Sequence, residues 1–418
     1  MAKRFTSYIL IGMVLGVVVG WLLNRSLTDP ELLARIGGYF SILTDVFLRL
    51  IKMIIAPLVF STLVMGIAHL GDSSSLGRVG LRTLAWFIMA SVISLVLGIV
   101  MVTLLAPGAS LALPLPAVDA AVDVKATTLT LKDFVTHLVP KSVAEAMANN
   151  EILQIVVFSV FFGVGLAAVG DKGKPLLAMV TGLAEVMLKV TGYVMLFAPV
   201  AVFAAIAATI TTRGLGILAT YAKFIGSFYL SIALLWGVLL ALGWLVLGRR
   251  VGRLVREVRE PILLAFSTAS SEAAYPRTLE GLERFGVSNR IASFVLPLGY
   301  SFNLDGSMMY CTFATIFIAQ AYGIELTLAQ QLTMLLLLMV TSKGMAGVPR
   351  ASLVVIAATL SFFHIPEAGL LLILAVDHFL DMGRSATNVV GNSIATAVVA
   401  KWEGEMRPAE AERDASTR

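Results

Sequence analysis

Long apolar runs separated by short polar stretches recur along the whole chain. A run of about 18 or more apolar residues is typical of a membrane helix, because roughly 20 helical residues cross the hydrocarbon core of a bilayer. The pattern therefore predicts an all-α polytopic membrane protein with eight transmembrane helices. The predicted spans are residues 5–23, 40–70, 79–106, 150–170, 175–209, 214–248, 288–322 and 366–400.

Two further segments are apolar at both ends but carry small and polar residues in the middle. Residues 257–285 are interrupted at 267–272 and again at Pro276, and residues 328–364 are interrupted at 342–350. Both patterns are typical of re-entrant helical hairpins, whose broken backbone is tolerated in a membrane only where protein or a wet cavity satisfies it. Paired interruptions in two halves of a chain also indicate inverted repeats around a transporter binding site.

Composition and charge agree with a membrane protein. Only 14% of the 418 residues are charged, whereas a soluble domain carries about a quarter, so a soluble protein is excluded. The net charge of +5 is explained by basic cytoplasmic loops, and no nucleic-acid partner is expected. Basic residues precede the first span and follow the sixth, which predicts cytoplasmic N- and C-termini. The single Cys311 excludes a disulfide framework or a thiolate metal cluster.

Polar residues repeat at helical spacing in the eighth predicted span. This spacing places them on one face of a helix. The residues are Asp377, Asp381, Arg384, Asn388 and Asn392. A guanidinium group offers a planar fork to a carboxylate, and an acid without a partner can bind an ammonium group. An ion cluster that only locks helices together is the alternative, and the two nearby hairpin turns favour a solute site instead.

The seventh predicted span is interrupted by the sequence Asn303-Leu304-Asp305-Gly306-Ser307. A carboxylate in mid-membrane costs about 2.5–3.5 kcal/mol on insertion scales and therefore needs a partner. Gly306 is expected to loosen the helix so that carbonyl groups can turn toward a cation. Amide, carboxylate and hydroxyl oxygens are hard ligands, so a cation site is predicted, with a packing hydrogen bond as the alternative.

The turns of the two hairpins add further candidates. Turns that end short helices present free N–H and carbonyl groups, which bind anions and cations respectively. Ser270 and Ser271 add hydroxyl groups, and Glu272 is a candidate proton carrier or a partner of Arg277. Arg350 is expected to extend to the outer surface, and attraction of an anionic solute is the alternative.

These motifs resemble those of the dicarboxylate/amino acid:cation symporter family, which includes the glutamate transporters. The resemblance covers nearly the whole chain and is strongest in residues 267–276, 299–307, 342–349 and 377–392. It implies a homotrimer in which a scaffold holds the assembly while a mobile domain carries solute across the membrane like an elevator. The second hairpin would act as the outer gate.

The resemblance also implies a division of the chain. Residues 1–248 would form six transmembrane helices, of which the third and sixth join the transport domain. Residues 249–400 would form the transport core. It comprises hairpin 1 at 257–285, helix 7 at 288–322, hairpin 2 at 328–364 and helix 8 at 366–400. Residues 405–418 would form a polar, disordered cytoplasmic tail.

The family's solute site maps onto residues of this chain one by one. Arg384 would bind the side-chain carboxylate of an acidic amino acid, Asp381 its ammonium group, and Asp377 would orient Arg384. The remaining solute contacts would be Ser270, Ser271, Ser307, the backbone at Val348, Ser385 and Asn388. Family members that carry dicarboxylates tend to lack an acid at the position of Asp381, so the resemblance favours glutamate or aspartate over succinate or fumarate.

The expected cation site combines these residues with others around the helix interruption. Its candidate ligands are Gly299, Ser301, Asn303, Asp305, Ser342, Asn388 and Asn392. Sodium-coupled members place an Asp where this chain has Asn392. In the third span only Ser91 among Phe87, Ala90 and Ser91 offers an oxygen. The resemblance therefore favours proton over sodium coupling, with Asp305, Asp381 or Glu272 as the proton carrier, since burial favours a neutral acid.

The sequence thus predicts a symporter for an acidic amino acid in a bacterial inner membrane, without a cofactor and without any metal beyond sodium. A symporter of the same family for dicarboxylates or neutral amino acids is the first alternative. A membrane-embedded enzyme is the alternative from another class, and we set it aside because the chain has no His-Glu-x-x-His pattern and no convincing Ser/His pair. A pure channel is a further alternative.

Overall fold

The computed structural model describes residues 2–68, 73–109, 136, 139–215, 221–341, 351–374 and 376–407. These residues are almost entirely helical, as the apolar pattern predicts, and contain no strand longer than an isolated bridge between Val287 and Met406. In chain order the helices are α1 (Ala2–Ser26), α2 (Pro30–Ala68), α3 (Ser73–Leu105), α4 (Val143–Ala148), α5 (Ile152–Val169), α6 (Lys174–Met195), α7 (Ala198–Arg213), α8 (Ala222–Leu247), α9 (Val251–Thr268), α10 (Ser271–Phe285), α11 (Asn289–Phe302), α12 (Asp305–Ala321), α13 (Leu328–Thr341), α14 (Ala351–Phe362), α15 (Leu370–Leu374) and α16 (Asp377–Trp402).

Apolar segments long enough to cross a bilayer recur through the described part of the chain. By length and composition they are Ser7–Ser26, Pro30–Met65, Gly77–Leu105, Gln154–Met195 and Ala222–Thr268. The predicted span at 175–209 is wrong as a single helix, because α6 ends at Met195 and α7 starts anew at Ala198. Pro199 lies in the first turn of α7, where its missing N–H group leaves no helical hydrogen bond unmade.

The last two predicted spans are each divided. Residues 288–322 form α11 and α12, which are separated at Asn303 and Leu304 by backbone outside the helical region. Residues 366–400 form a short helix, α15, and the long helix α16, which begins at Asp377. An apolar pattern cannot distinguish one long helix from two that meet at a polar break.

The first predicted hairpin is present, but only one of its two predicted interruptions breaks the helix. Helices α9 and α10 pack side by side and are joined by Ala269 and Ser270. Ala269 has a left-handed φ of 51°, and the Ser270 hydroxyl accepts a hydrogen bond from the Ala273 N–H group, which starts α10. Pro276 lies inside α10. The turn between α13 and α14 lies outside the described residues.

Small residues allow α1 to lie against α7. Gly12, Gly16 and Gly20 face this neighbour, and a methyl group added at Gly16 would lie 2.7 Å from the carbonyl oxygen of Phe203. Such contact between backbones is the usual function of small residues at four-residue spacing in membrane helices. The four-residue spacing of these glycines in the sequence is what puts all three on the face that meets α7.

Helix α16 is the centre of the second half of the molecule. It packs against α8, α9, α10, α11 and α12, and α3 lies against both α12 and α16. Nearly every residue from Leu380 to Ala400 is buried or half-buried. The predicted polar face of this helix is therefore surrounded by other helices, and its polar groups must find partners among them.

The chain beyond α16 is packed onto the rest of the molecule for a few residues. Glu403 pairs with Arg78 and Arg82 of α3, and Glu405 pairs with Arg290 of α11. The expectation of a free tail from residue 405 is wrong for Glu405, Met406 and Arg407, because their backbone or side chains bond to residues 286–290. Residues 408–418 lie outside the described residues.

Candidate functional site

An acid and an arginine from one turn of α16 form the charged part of the site. The Nε atom of Arg384 donates to Oδ1 of Asp381 at 2.6 Å, and Nη2 contacts the same oxygen. The Ser385 hydroxyl donates to this oxygen at 3.2 Å. Among the described residues no hydrogen bond reaches Oδ2 of Asp381. The two side chains keep 17% and 19% exposure, so the pair is close to an accessible space.

The far end of the Arg384 side chain joins three helices. Its Nη1 atom donates to the Ser307 hydroxyl on α12 at 3.1 Å and to the Ser352 hydroxyl on α14 at 2.9 Å. Both serines are buried. A hydrogen bond from a charged donor is stronger than a neutral one, so Arg384 fixes the start of α12 and α14 relative to α16.

Asn388 satisfies the amide groups at the start of α12. Its Oδ1 atom accepts from the N–H groups of Gly306 at 2.9 Å and Ser307 at 3.3 Å, while its Nδ2 atom donates to the Ser307 hydroxyl. The first N–H groups of any helix lack partners within that helix. The break before Asp305 thus leaves N–H groups at the start of α12 without partners in that helix. Asn388, on the polar face of α16, accepts hydrogen bonds from two of them.

Gly306 has a different function from the one expected. It lies inside α12, and the break comes before it at Asn303 and Leu304. A methyl group added at Gly306 would collide with the carbonyl oxygen of Arg384 and lie 2.8 Å from Cβ of Thr387. The glycine is therefore required for the close approach of α12 to α16, and not to loosen a helix.

A second polar cluster lies two turns further along α16. The amide of Asn303 donates to Asp305 at 3.0 Å and to Oδ1 of Asn392 at 3.2 Å. Asp305 also accepts from the Ser94 hydroxyl of α3 at 3.2 Å. Gly391 and Gly299 provide the space, since a side chain on either would collide with Asp305 or Asn392 respectively. All of these polar residues are buried.

This second cluster has the features of a cation site. In the described part of the chain the buried atoms Oγ of Ser301, Oδ1 of Asn303 and Nδ2 of Asn392 have no hydrogen-bond partner. A buried polar group without a partner costs about 1–3 kcal/mol. The donor set of carboxylate, amide and hydroxyl oxygens suits a hard cation such as sodium. Asp305 would supply the negative charge and Asn303 and Ser301 neutral oxygens.

The structure places the remaining predicted residues as follows. Asp377 accepts a hydrogen bond of 2.6 Å from the Tyr310 hydroxyl, and its expected effect on Arg384 stays a prediction. Ser270 and Ser271 lie at the turn of the first hairpin, whose residues Ala265 and Ala274 pack on Val389 of α16. No hydrogen bond joins either serine to the two polar clusters within the described residues. Ser342 and Val348, like Arg350, lie outside them.

Several contacts to the two polar clusters and to α16 were not predicted from the sequence. Ser94, one turn beyond Ala90, supplies the hydroxyl that reaches Asp305, and it lies outside the stretch of Phe87, Ala90 and Ser91 that the sequence singled out in this helix. Ser352 reaches Arg384, and Tyr229 and Trp236 of α8 donate to Phe379 and Thr387 of α16. The sequence marks these residues only as polar positions in otherwise apolar helices. This signal does not identify their partners.

Comparisons with known proteins agree with these features. The family model for the sodium:dicarboxylate symporter family matches residues 5–402. The chain is 40% identical to a proton/sodium-glutamate symport protein of Bacillus caldotenax over 95% of this chain and 94% of the relative. It is 41% identical to a C4-dicarboxylate transport protein of Laribacter hongkongensis over 97% and 92%. It is 42% identical to a proton/glutamate-aspartate symporter of Escherichia coli over 94% and 92%.

Proposed function

The chain belongs to the sodium:dicarboxylate symporter family, and from that membership we propose that it imports glutamate or aspartate together with a cation, favouring the proton. The family identifies a multi-pass membrane transporter and not an enzyme. It also implies a small-molecule substrate, a coupling cation and no organic cofactor. The choice of solute and of ion rests on the site residues.

The observation that carries the choice of solute is the pairing of Asp381 with Arg384. Arg384 presents donors for a carboxylate, and Oδ2 of Asp381 is an acceptor without a described partner. An acidic amino acid offers one group to each, because its side-chain carboxylate can bind the guanidinium while its ammonium group binds the acid. Asn388, Ser307 and Ser385 surround this pair.

A second candidate solute is a C4-dicarboxylate, which one relative is named for. Asp381 is already bonded to Arg384 and Ser385, so its charge is partly balanced without an ammonium group. Competition of labelled aspartate uptake by unlabelled aspartate, succinate and serine separates the two candidates. Strong competition by aspartate alone supports the first, and equal competition by succinate supports the second.

The cation is proposed to bind at Asp305. This carboxylate is buried beside Asn303 and Ser94, and the unsatisfied oxygens of Ser301 and Asn303 lie at the end of α11. Asn392 adds no charge to the cluster, which leaves one carboxylate there and favours a single small cation. We therefore place the proton first and sodium second as the coupling ion.

The proposed mechanism is the elevator movement of a trimeric transporter in a bacterial inner membrane, with both termini in the cytoplasm. Helices α3 and α8 pack on α12 and α16, which supports their assignment to the moving domain. The close contact of α1 with α7 supports a scaffold formed from the first half of the chain.

The test measures uptake of labelled aspartate by purified protein in liposomes, under a proton gradient alone and under a sodium gradient alone. Proton-driven accumulation is expected. A requirement for sodium would overturn the choice of ion, and no uptake under either gradient would overturn the proposed function.

The residue test compares three arginine variants. Arg384→Ala should abolish uptake, and Arg384→Lys should restore little of it, because an ammonium group lacks the planar fork. Arg249→Ala, at an exposed position after α8, serves as the control and should transport normally. Normal affinity for aspartate in Arg384→Ala, with an unchanged elution volume on gel filtration, would refute the assignment of the solute site.

A further inference from the structure

The hydroxyl of Ser352 occupies a donor of Arg384 that a solute carboxylate needs. An arginine side chain has five N–H donors, of which Nη1 and Nη2 carry two each. Here Nη1 donates to Ser307 and to Ser352, while Nε and Nη2 are directed to Asp381. A carboxylate that binds both Nη atoms must take one N–H from each. One serine therefore has to leave Nη1 before the carboxylate can bind in this way.

Ser307 is held in place more firmly than Ser352. The Ser307 hydroxyl also accepts from Asn388 at 3.2 Å, and its N–H group is bonded to the same side chain. Among the described residues the Ser352 hydroxyl has no hydrogen bond besides the one from Arg384, and a weak contact of 3.9 Å joins the Cys311 thiol to the Ser352 carbonyl oxygen. Ser352 lies in the first turn of α14, which packs against α12. It is therefore the serine that yields.

From these contacts we infer that Ser352 is a positioning residue that competes with the solute carboxylate for Nη1 of Arg384. Its hydroxyl satisfies a buried donor and holds α14 against α16. Binding of a carboxylate exchanges this hydrogen bond, whose acceptor is neutral, for one whose acceptor is charged. The inference deepens the proposed function and rests on it, because it requires a carboxylate solute at Arg384.

The test compares Ser352→Ala with Ser352→Thr, which keeps a hydroxyl group. Ser361→Ala is the matched control, since Ser361 lies on the same helix about 13 Å further along and is exposed. Steady-state uptake of glutamate, aspartate and succinate gives KM and kcat separately. Loss of the competing hydrogen bond should lower KM of Ser352→Ala by about three- to tenfold. The threonine variant should restore the wild-type KM, and the control should not change it.

The outcomes of this test separate the inference about Ser352 from the proposed function. An unchanged or raised KM in Ser352→Ala, with wild-type uptake intact, refutes competition by Ser352 and leaves the proposed function standing. A fall in kcat of Ser352→Ala without a change in KM would show that Ser352 contributes only to the structure, and it would also refute the inference. If the wild type transports none of the three acids, the proposed function fails and the inference fails with it.

Discussion

Helix α1 meets α7 through three glycines and apolar side chains, whereas α12 meets α16 through glycines set among buried polar groups. Gly16 faces the Phe203 carbonyl and Ile206, and nothing in that contact is charged. Gly306 and Gly391 instead bring backbone close to Arg384 and to the Asp305 carboxylate. Both contacts need glycine because two helices approach more closely than a methyl group allows.

The difference concerns what each contact determines. In a bilayer apolar side chains gain little by leaving lipid, so α1 and α7 are held mainly by van der Waals packing, which fixes their distance. Between α12 and α16 the buried donors and acceptors have few possible partners, so their positions and directions are fixed as well. The first contact should therefore govern stability, and the second should govern solute and cation binding.

The largest effect is expected for Gly306→Ala. The added methyl group collides with the carbonyl oxygen of Arg384, and backbone cannot turn aside as a side chain can. Helices α12 and α16 must separate, which displaces Ser307 from Arg384, and a displacement of about 1 Å can cost roughly 100-fold in rate. Uptake in liposomes measures the loss. Gly237→Ala in α8, where an added methyl group meets nothing within 4 Å, is the control. Uptake by Gly306→Ala at the wild-type rate would contradict the conclusion that the contact between α12 and α16 governs solute binding.

Asp305→Asn should have the next largest effect. The variant keeps the shape of the side chain but removes the one carboxylate of the second cluster. Loss of a charged contact of about 1.5–3 kcal/mol corresponds to about a tenfold or greater fall in gradient-driven uptake. Asp45→Asn, an exposed position on α2, is the control. If gradient-driven uptake persists while the protein binds solute normally, the coupling cation binds elsewhere.

Gly16→Ala should lower stability without changing the site. An added methyl group would lie 2.7 Å from the Phe203 carbonyl oxygen and 2.9 Å from Cβ of Ile206. Overpacking of this kind costs about 1–3 kcal/mol, and a lower melting temperature in detergent should report it. The KM for solute should stay at the wild-type value. Gly182→Ala in α6, which meets nothing within 4 Å, is the control. A changed KM with an unchanged melting temperature would contradict the conclusion that the contact between α1 and α7 governs stability and not solute binding.

The smallest effect is expected for Glu403→Gln, which lies outside both contacts. Glu403 is 3% exposed, but its partners Arg78 and Arg82 are 54% and 40% exposed. Ion pairs with exposed partners contribute about 1 kcal/mol or less, and salt screens them. The melting temperature should fall slightly at low salt and less at high salt. Asp171→Asn, which removes the exposed pair with Lys174, should have no measurable effect.

Particular residues show which features of the site could be predicted from the sequence and which could not. The spacing of Gly12, Gly16 and Gly20 predicts their close packing, because four-residue spacing alone puts them on one face. The spacing of Asp377 to Asn392 predicts one polar face for the same reason. The structure places these residues along α16 with partners from other helices, except for Asp381, which bonds to Arg384 and Ser385 on the same helix. Contacts across the fold were not predictable. Ser94 and Ser352 lie 211 and 32 residues from Asp305 and Arg384 along the chain.

The sequence by itself determined the helical character of the chain, its polar face on α16, the first hairpin turn and the family to which it belongs. These follow from local periodicity, composition and ordered motifs, which act within a few turns of helix. The tertiary structure alone decided that Gly306 permits the contact with Arg384, that the helix breaks before Asp305, and which hydroxyls reach the charged residues. Those features depend on the distances between segments that lie far apart in the sequence. Because a hydrogen bond weakens when its donor and acceptor move apart by a fraction of an ångström, only the packed helices can specify them.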